Sequence, residues 1–115
     1  MNVVDSSGWL EYFADGPNAA VFAKPLQATS TLIIPSISLF EVFKRVMTQR
    51  GEDIALEAVA MMRQGRVVPL DDALALDAAR LSVEHRLPMA DSIILATALA
   101  HRPTLWTQDA DFENV

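Results

Sequence analysis

At 115 residues the chain has room for one domain, which buries about 60–70% of its unfolded surface and so forms a core without covalent staples. It has no cysteine, which excludes a disulfide framework, a thiolate zinc site and a cysteine nucleophile, and leaves oxygen atoms and two histidines as metal donors. Nine basic against fifteen acidic residues give a net charge of −6, which excludes nonspecific duplex binding through a broad positive field but not a local nucleic-acid contact.

Val3 and Val4 predict a short strand, and Asp5, Ser6, Ser7 and Gly8 supply the turn and cap for a helix carrying Trp9, Leu10, Tyr12 and Phe13 at apolar helical spacing. At least two of these four are expected in the core. After Gly16 and Pro17, a second helix is expected over Asn18 to Ala28, ended or kinked by Pro25. Thr31 to Ile34 predicts the next strand, stopped by Pro35. Ser38 opens a helix to about Arg50, where Gly51 is the stop, and a further helix over 52–64 closes at Gly65. Val67 to Leu70 is the third strand. Asp71 and Asp72 open a helix to about Glu84, Pro88 opens another to about His101, and Thr104 to Thr107 is the fourth strand.

Short β-branched runs alternating with helices predict an α/β fold, a parallel sheet covered on both faces. Residues 92–100 are apolar on nearly all sides, as in a helix packed between layers. An apolar fraction of 51% leaves surface for a second copy or a partner, so a homodimer is expected. Met1 runs straight into Val3 without a basic region or a long apolar stretch, so the expectation is a cytoplasmic chain with no membrane span.

Asp5, Glu41, Asp91 and Asp109 each fall where a strand has ended or a helix is starting. In a parallel sheet all strands end on one edge, so acids far apart in sequence share one crevice there. Carboxylates so gathered repel one another unless a cation or protons intervene, which points to a divalent metal. Each acid also has an ordinary occupation. Asp5 can cap a helix. Ser38-Leu39-Phe40-Glu41 has capping-box spacing. Asp91 suits a helix dipole, and Asp109 an Asx turn. Asp109 lies nearer the strand end than Asp111, which is its competitor and an accessory candidate with Thr107. Lys44, Arg45 and Arg50 share the Glu41 helix and could touch phosphates, whereas His85 and His101 are not needed for chemistry.

Together, Val3-Val4-Asp5-Ser6-Ser7, Ser38-x-x-Glu41, Leu87-Pro88-Met89-Ala90-Asp91-Ser92-Ile93-Ile94-Leu95-Ala96-Thr97-Ala98 and Leu105-Trp106-Thr107-Gln108-Asp109-Ala110-Asp111-Phe112 resemble a PIN-domain ribonuclease of the VapC toxin type. The resemblance spans nearly the whole chain and is most specific around Asp91 and Asp109. It implies one three-layer α/β/α domain over residues 1–115, with a central parallel sheet of four strands or five. It also implies a Mg²⁺- or Mn²⁺-dependent endoribonuclease acting on cellular RNA such as transfer or ribosomal RNA. A small VapB-type antitoxin would block the site and, with the toxin, repress their operon. Carried over, Asp5, Glu41, Asp91 and Asp109 form the acidic quartet, with Ser6 and Thr107 as polar neighbours. Similar proteins usually continue past the equivalent of Phe112 into a fifth strand, so the expectation is that either this edge strand is absent or the chain is shortened.

Two rival readings use the same residues. A phosphoacceptor receiver domain would employ Asp5, Asp71 and Thr107, but no second acid adjoins Asp5, no lysine ends a later strand, and capping explains Asp71. A catalytically silent PIN-like binding module would share the fold without the reaction.

Overall fold

Val3 and Val4 are adjacent and both fully buried, yet they belong to different cores. Successive strand side chains point to opposite faces, so both faces of this sheet are dry. In the computed structural model, which describes residues 1–102 and 104–108, the strands are β1 (Asn2–Val4), β2 (Leu32–Pro35), β3 (Arg66–Val68) and β4 (Thr104–Trp106). Between them run α1 (Ser6–Phe13), α2 (Ala19–Gln27), α3 (Ser36–Arg50), α4 (Glu52–Met62), α5 (Asp72–His85) and α6 (Met89–His101), with a short 3₁₀ turn at Thr29–Thr31. The sheet order is β3-β2-β1-β4 and every pair is parallel, with Val3 opposite Ile33 and Leu105, and Pro35 opposite Val68. The expected three-layer α/β/α architecture is what the chain forms, with four strands among the described residues.

One core joins Val4, Leu32 and Ile34 to Trp9, Phe22, Leu26, Val42, Val46, Ala55 and Met62, from α1 through α4. The other joins Val3, Ile33 and Val68 to Leu74, Ala78, Ile93, Ile94, Ala96 and Ala98, from α5 and α6. Of the four residues that open the first helix, Trp9 is buried and Leu10, Tyr12 and Phe13 are partly buried against the same core. Gly8 lets α1 sit this close: a Cβ there would come within 2.6 Å of Val4 Cγ1 and 2.8 Å of the Phe22 ring.

Several boundaries differ from the sequence expectation. Helix α3 starts at Ser36 rather than Ser38, directly after Pro35, whose extended backbone serves as N-cap. Ser38 therefore lies inside the helix and Glu41 in its second turn, so the capping box does not form. Pro25 does not end α2, which continues to Gln27; a proline forfeits one helical hydrogen bond, and this helix tolerates it with Pro25 and Leu26 packed in the core. Gly51, at φ 89°, both ends α3 and precedes α4. Helix α4 stops at Met62, before Gly65.

Candidate active site

Strand β1 lies between β2 and β4, so the residue after Val4 emerges at the middle of the sheet's carboxyl edge. That residue is Asp5, only 1% exposed. It is the N-cap of α1: Oδ1 accepts from the Gly8 amide at 3.0 Å and from Ser7 Oγ at 2.7 Å. Its Oδ2 accepts from Thr107 Oγ1, just past β4. The cap thus fixes the orientation of this carboxylate at the sheet's carboxyl edge.

Glu41 reaches the same corner from α3. Its Oε1 accepts from Ser6 Oγ at 2.6 Å, so the hydroxyls of adjacent residues, Ser6 and Ser7, serve two separate acids, Glu41 and Asp5. The side chain is thus held by tertiary contact rather than by a helix cap. Ser38, one turn earlier, is fully buried, and its Oγ has no hydrogen-bond partner among the described residues.

Asp91 stands half-buried in the first turn of α6. Only two residues separate α6 from β4, which is parallel to β1. Helix α6 must therefore run antiparallel to the strands, ending at their amino edge. Its 13 residues span about 20 Å, enough to return its first turn to the carboxyl edge where Asp5 and Glu41 lie. Asp109 and Asp111, the contested fourth acid, fall outside the described residues. Among those described, no three of the His, Asp and Glu side chains gather into a metal-holding cluster.

The donor chemistry nevertheless suits a hard cation. The groups at this edge are oxygen donors, the hydrogen bonds given above to Asp5 and Glu41 come from hydroxyls and an amide, and the chain offers no thiolate. The histidines are occupied elsewhere: His85 lies 3.9 Å from Glu84, and His101 pairs with the Thr97 carbonyl at 3.0 Å, both near helix C-termini. Asp71 caps α5, accepting from the Leu74 amide at 2.8 Å beyond the edge strand β3, as its capping reading requires. Lys44 and Arg45 are exposed on α3.

Sequence reasoning missed a latch beside Asp5. The Gln108 amide donates to Ser7 Oγ at 3.4 Å, and Asn18 Nδ2 donates to Gln108 Oε1 at 3.1 Å, tying the exit of β4 to α1 and to the approach to α2. The hydroxyl next to a capping Asp was a signal for Ser7; nothing local pointed to Gln108. A groove of about 510 Å³ opens from this latch between α1, α3 and α4, with Phe13, Ile54 and Met61 among its apolar lining, Arg45 and Arg50 on α3, and Glu11 and Glu57 on α1 and α4.

The model of the PIN domain family matches residues 3–115. No curated protein gives a significant sequence match. Among solved structures, a toxin-antitoxin complex from Klebsiella pneumoniae contains a chain with TM-score 0.81 and 24% identity, covering 100% of this chain and 92% of that one. VapC20 of Mycobacterium tuberculosis, a Sarcin-Ricin loop cleaving toxin, has TM-score 0.83 at 17% identity, over 99% of this chain and 94% of that one. VapBC2 from Rickettsia felis, bound to a promoter DNA fragment, has TM-score 0.77 at 15% identity, over 99% and 92% respectively. At these identities the likeness is one of fold, whereas the family match spans the strands and acids alike: the chain belongs to the PIN domain family.

Proposed function

We propose that this chain is a VapC-type toxin, a metal-dependent endoribonuclease whose site is built from Asp5, Glu41, Asp91 and Asp109. The observation that carries the reading is Asp5: a carboxylate 1% exposed at the carboxyl end of the central strand, oriented by hydroxyls and an amide. These donors offset part of the cost of burying a charge, and a divalent cation on the same carboxylate would add compensation that also does chemistry. Asp5 and Asp91 are the direct ligands in this proposal, with Glu41 and Asp109 completing the shell or orienting water. Mg²⁺ or Mn²⁺ bound there would polarise a phosphoryl oxygen and activate water for in-line displacement. Ser6 and Thr107 hold the carboxylates in place, Asp111 is accessory, and Lys44 and Arg45 steady phosphates along α3.

The α1–α3–α4 groove supports a VapB-type antitoxin as the proposed partner, whose amphipathic segment would lay apolar side chains on Phe13 and Met61, an acid against Arg45 or Arg50 and a base against Glu11 or Glu57. Ser7 and Gln108 line both the groove and the Asp5 corner, so an occupant would close off the site. A second copy of the chain, suggested by the apolar excess, is also part of the reading; it is tested by molar mass in solution. Among the described residues no helix is long and apolar enough to cross a membrane, and the proposed working compartment is the cytoplasm.

The test is cleavage of single-stranded RNA by the purified chain. Cutting is expected with Mg²⁺ or Mn²⁺ and not with chelator, and Asp5→Asn or Asp91→Asn should each slow it at least about 100-fold with the fold intact. Full cleavage by both variants would sink the site. No cleavage by the wild type with either metal would leave the silent binding module as the better description.

A further inference from the structure

We infer that Phe40 is a stacking platform for one unpaired nucleobase of the substrate, with Lys44 beside it to take the neighbouring phosphate. This rests on the ribonuclease reading and goes beyond it, because it specifies what the substrate must present: a base free of its own stack next to the scissile phosphate.

Phe40 is 60% exposed, the one aromatic ring among the exposed large apolar side chains of the described residues. It directly precedes Glu41 on α3. One turn on, Lys44 sets its Nζ 5.6 Å from the ring centroid, within cation–π range. Residues four apart on a helix share a ridge, so Phe40 with Lys44 forms one ridge and Glu41 with Arg45 the next. An aromatic face, two cations and a site carboxylate therefore occupy two turns of one helix. Charge points the same way: α3 carries Lys44, Arg45 and Arg50 against the single acid Glu41, in a chain whose net charge is −6. Among the helices of the described residues, α3 carries the largest excess of positive charge, and it starts at the site edge.

A base stacked on a ring beside a cation is how single strands are commonly held without sequence readout. Duplex bases are already stacked and offer no face, so the platform selects single strands, loops or bulges. Contact with a second copy is the competing use of an exposed ring. A two-fold interface would bring the same patch of each copy together; with its axis on this ridge it would gather Lys44 and Arg45 of both copies around Glu41 as the one acid of the patch, a crowding of like charge that opposes association. The ridge suits a polyanion better than itself.

The experiment measures binding of a short single-stranded RNA, and of the same RNA made abasic at each position in turn, by Asp91→Asn protein, which leaves the RNA uncut. Adding Phe40→Ala should weaken binding of intact RNA about 5- to 150-fold, the range for one base–aromatic stack, and Phe40→Trp should keep it. At one abasic position the intact-ring protein should lose that same factor, and Phe40→Ala should cost nothing further there. Equal binding with and without the ring, or the same Phe40→Ala loss at every abasic position, overturns the assignment. So does sedimentation showing that Phe40→Ala splits a dimer, which would make the ring a contact between copies. Wild-type RNA cleavage, scored separately, reports on the ribonuclease reading itself.

Discussion

Helices α3 and α6 each bring one acid to the carboxyl edge, by opposite means. Helix α6 is buried continuously from Ser92 through Ala98, seven residues in a row, so every side of it is packed. Helix α3 buries only the stripe of Ser38, Val42 and Val46, and its outer side carries Phe40, Lys44 and Met47. Asp91 therefore starts a helix that is packed all round, whereas Glu41 stands on a half-solvated helix and, among the described residues, accepts from the Ser6 hydroxyl. In the proposed reading, a dry helix fixes a metal ligand rigidly but can offer nothing to substrate. A half-solvated helix needs a strut for its acid and in return presents cations and a ring to a polyanion.

If that contrast is right, the two helices differ first in stability. Ile94 of α6 is fully buried in the core that α5 and α6 form with the sheet, and Ile94→Ala should cost about 2–5 kcal/mol in urea unfolding. Met47→Ala, at a position 42% exposed on α3, should stay within about 0.5 kcal/mol. Similar losses at both positions would break the comparison.

Activity should then separate the strut from the packing. Ser6→Ala removes the 2.6 Å bond to Glu41 and leaves Asp5 its own donors. RNA cleavage is expected to fall roughly 10- to 100-fold, the usual cost of losing a group that orients a ligand, with the unfolding midpoint nearly unchanged. Ser6→Thr, which keeps the hydroxyl, should recover most of the rate. A large drop in stability without a drop in rate would mean that Ser6 serves the fold and not the site.

The sequence made the layers legible because the pattern that builds them is local. Val3 and Val4 announce a two-sided strand, the apolar run after Asp91 announces a helix packed all round, and Asp71 caps α5 where its position before Asp72 said it would. The α3 start was misplaced because Ser38-x-x-Glu41 fits a capping box by spacing alone, while Pro35, with no side chain able to cap, begins the helix two residues earlier. Glu41's real partner lies 35 residues away, and the latch from Asn18 and Ser7 to Gln108 spans 90 and 101 residues. The first pairing needs β2 beside β1 and the second needs β4 on its other side, an order that no window of sequence contains. The preference for Asp109 over Asp111 concerns positions outside the described residues.

Ser38 offers the smallest and most discriminating test. Its side chain is fully buried on the packed stripe of α3, one turn before Glu41, and its Oγ has no hydrogen-bond partner among the described residues. A buried hydroxyl with no partner costs about 1–3 kcal/mol by mutational measures, whereas alanine is a better helix former and leaves only the volume of one oxygen. Ser38→Ala should therefore be neutral or raise stability by about 1 kcal/mol, a gain of a few degrees in melting temperature for a domain of this size, with RNA cleavage unchanged. That outcome would confine the polar support of Glu41 to Ser6 and make the rest of the inner stripe ordinary core. A loss of cleavage at unchanged stability would instead give α3 a second polar strut, and the division between a packed α6 and a singly tethered Glu41 would have to be redrawn.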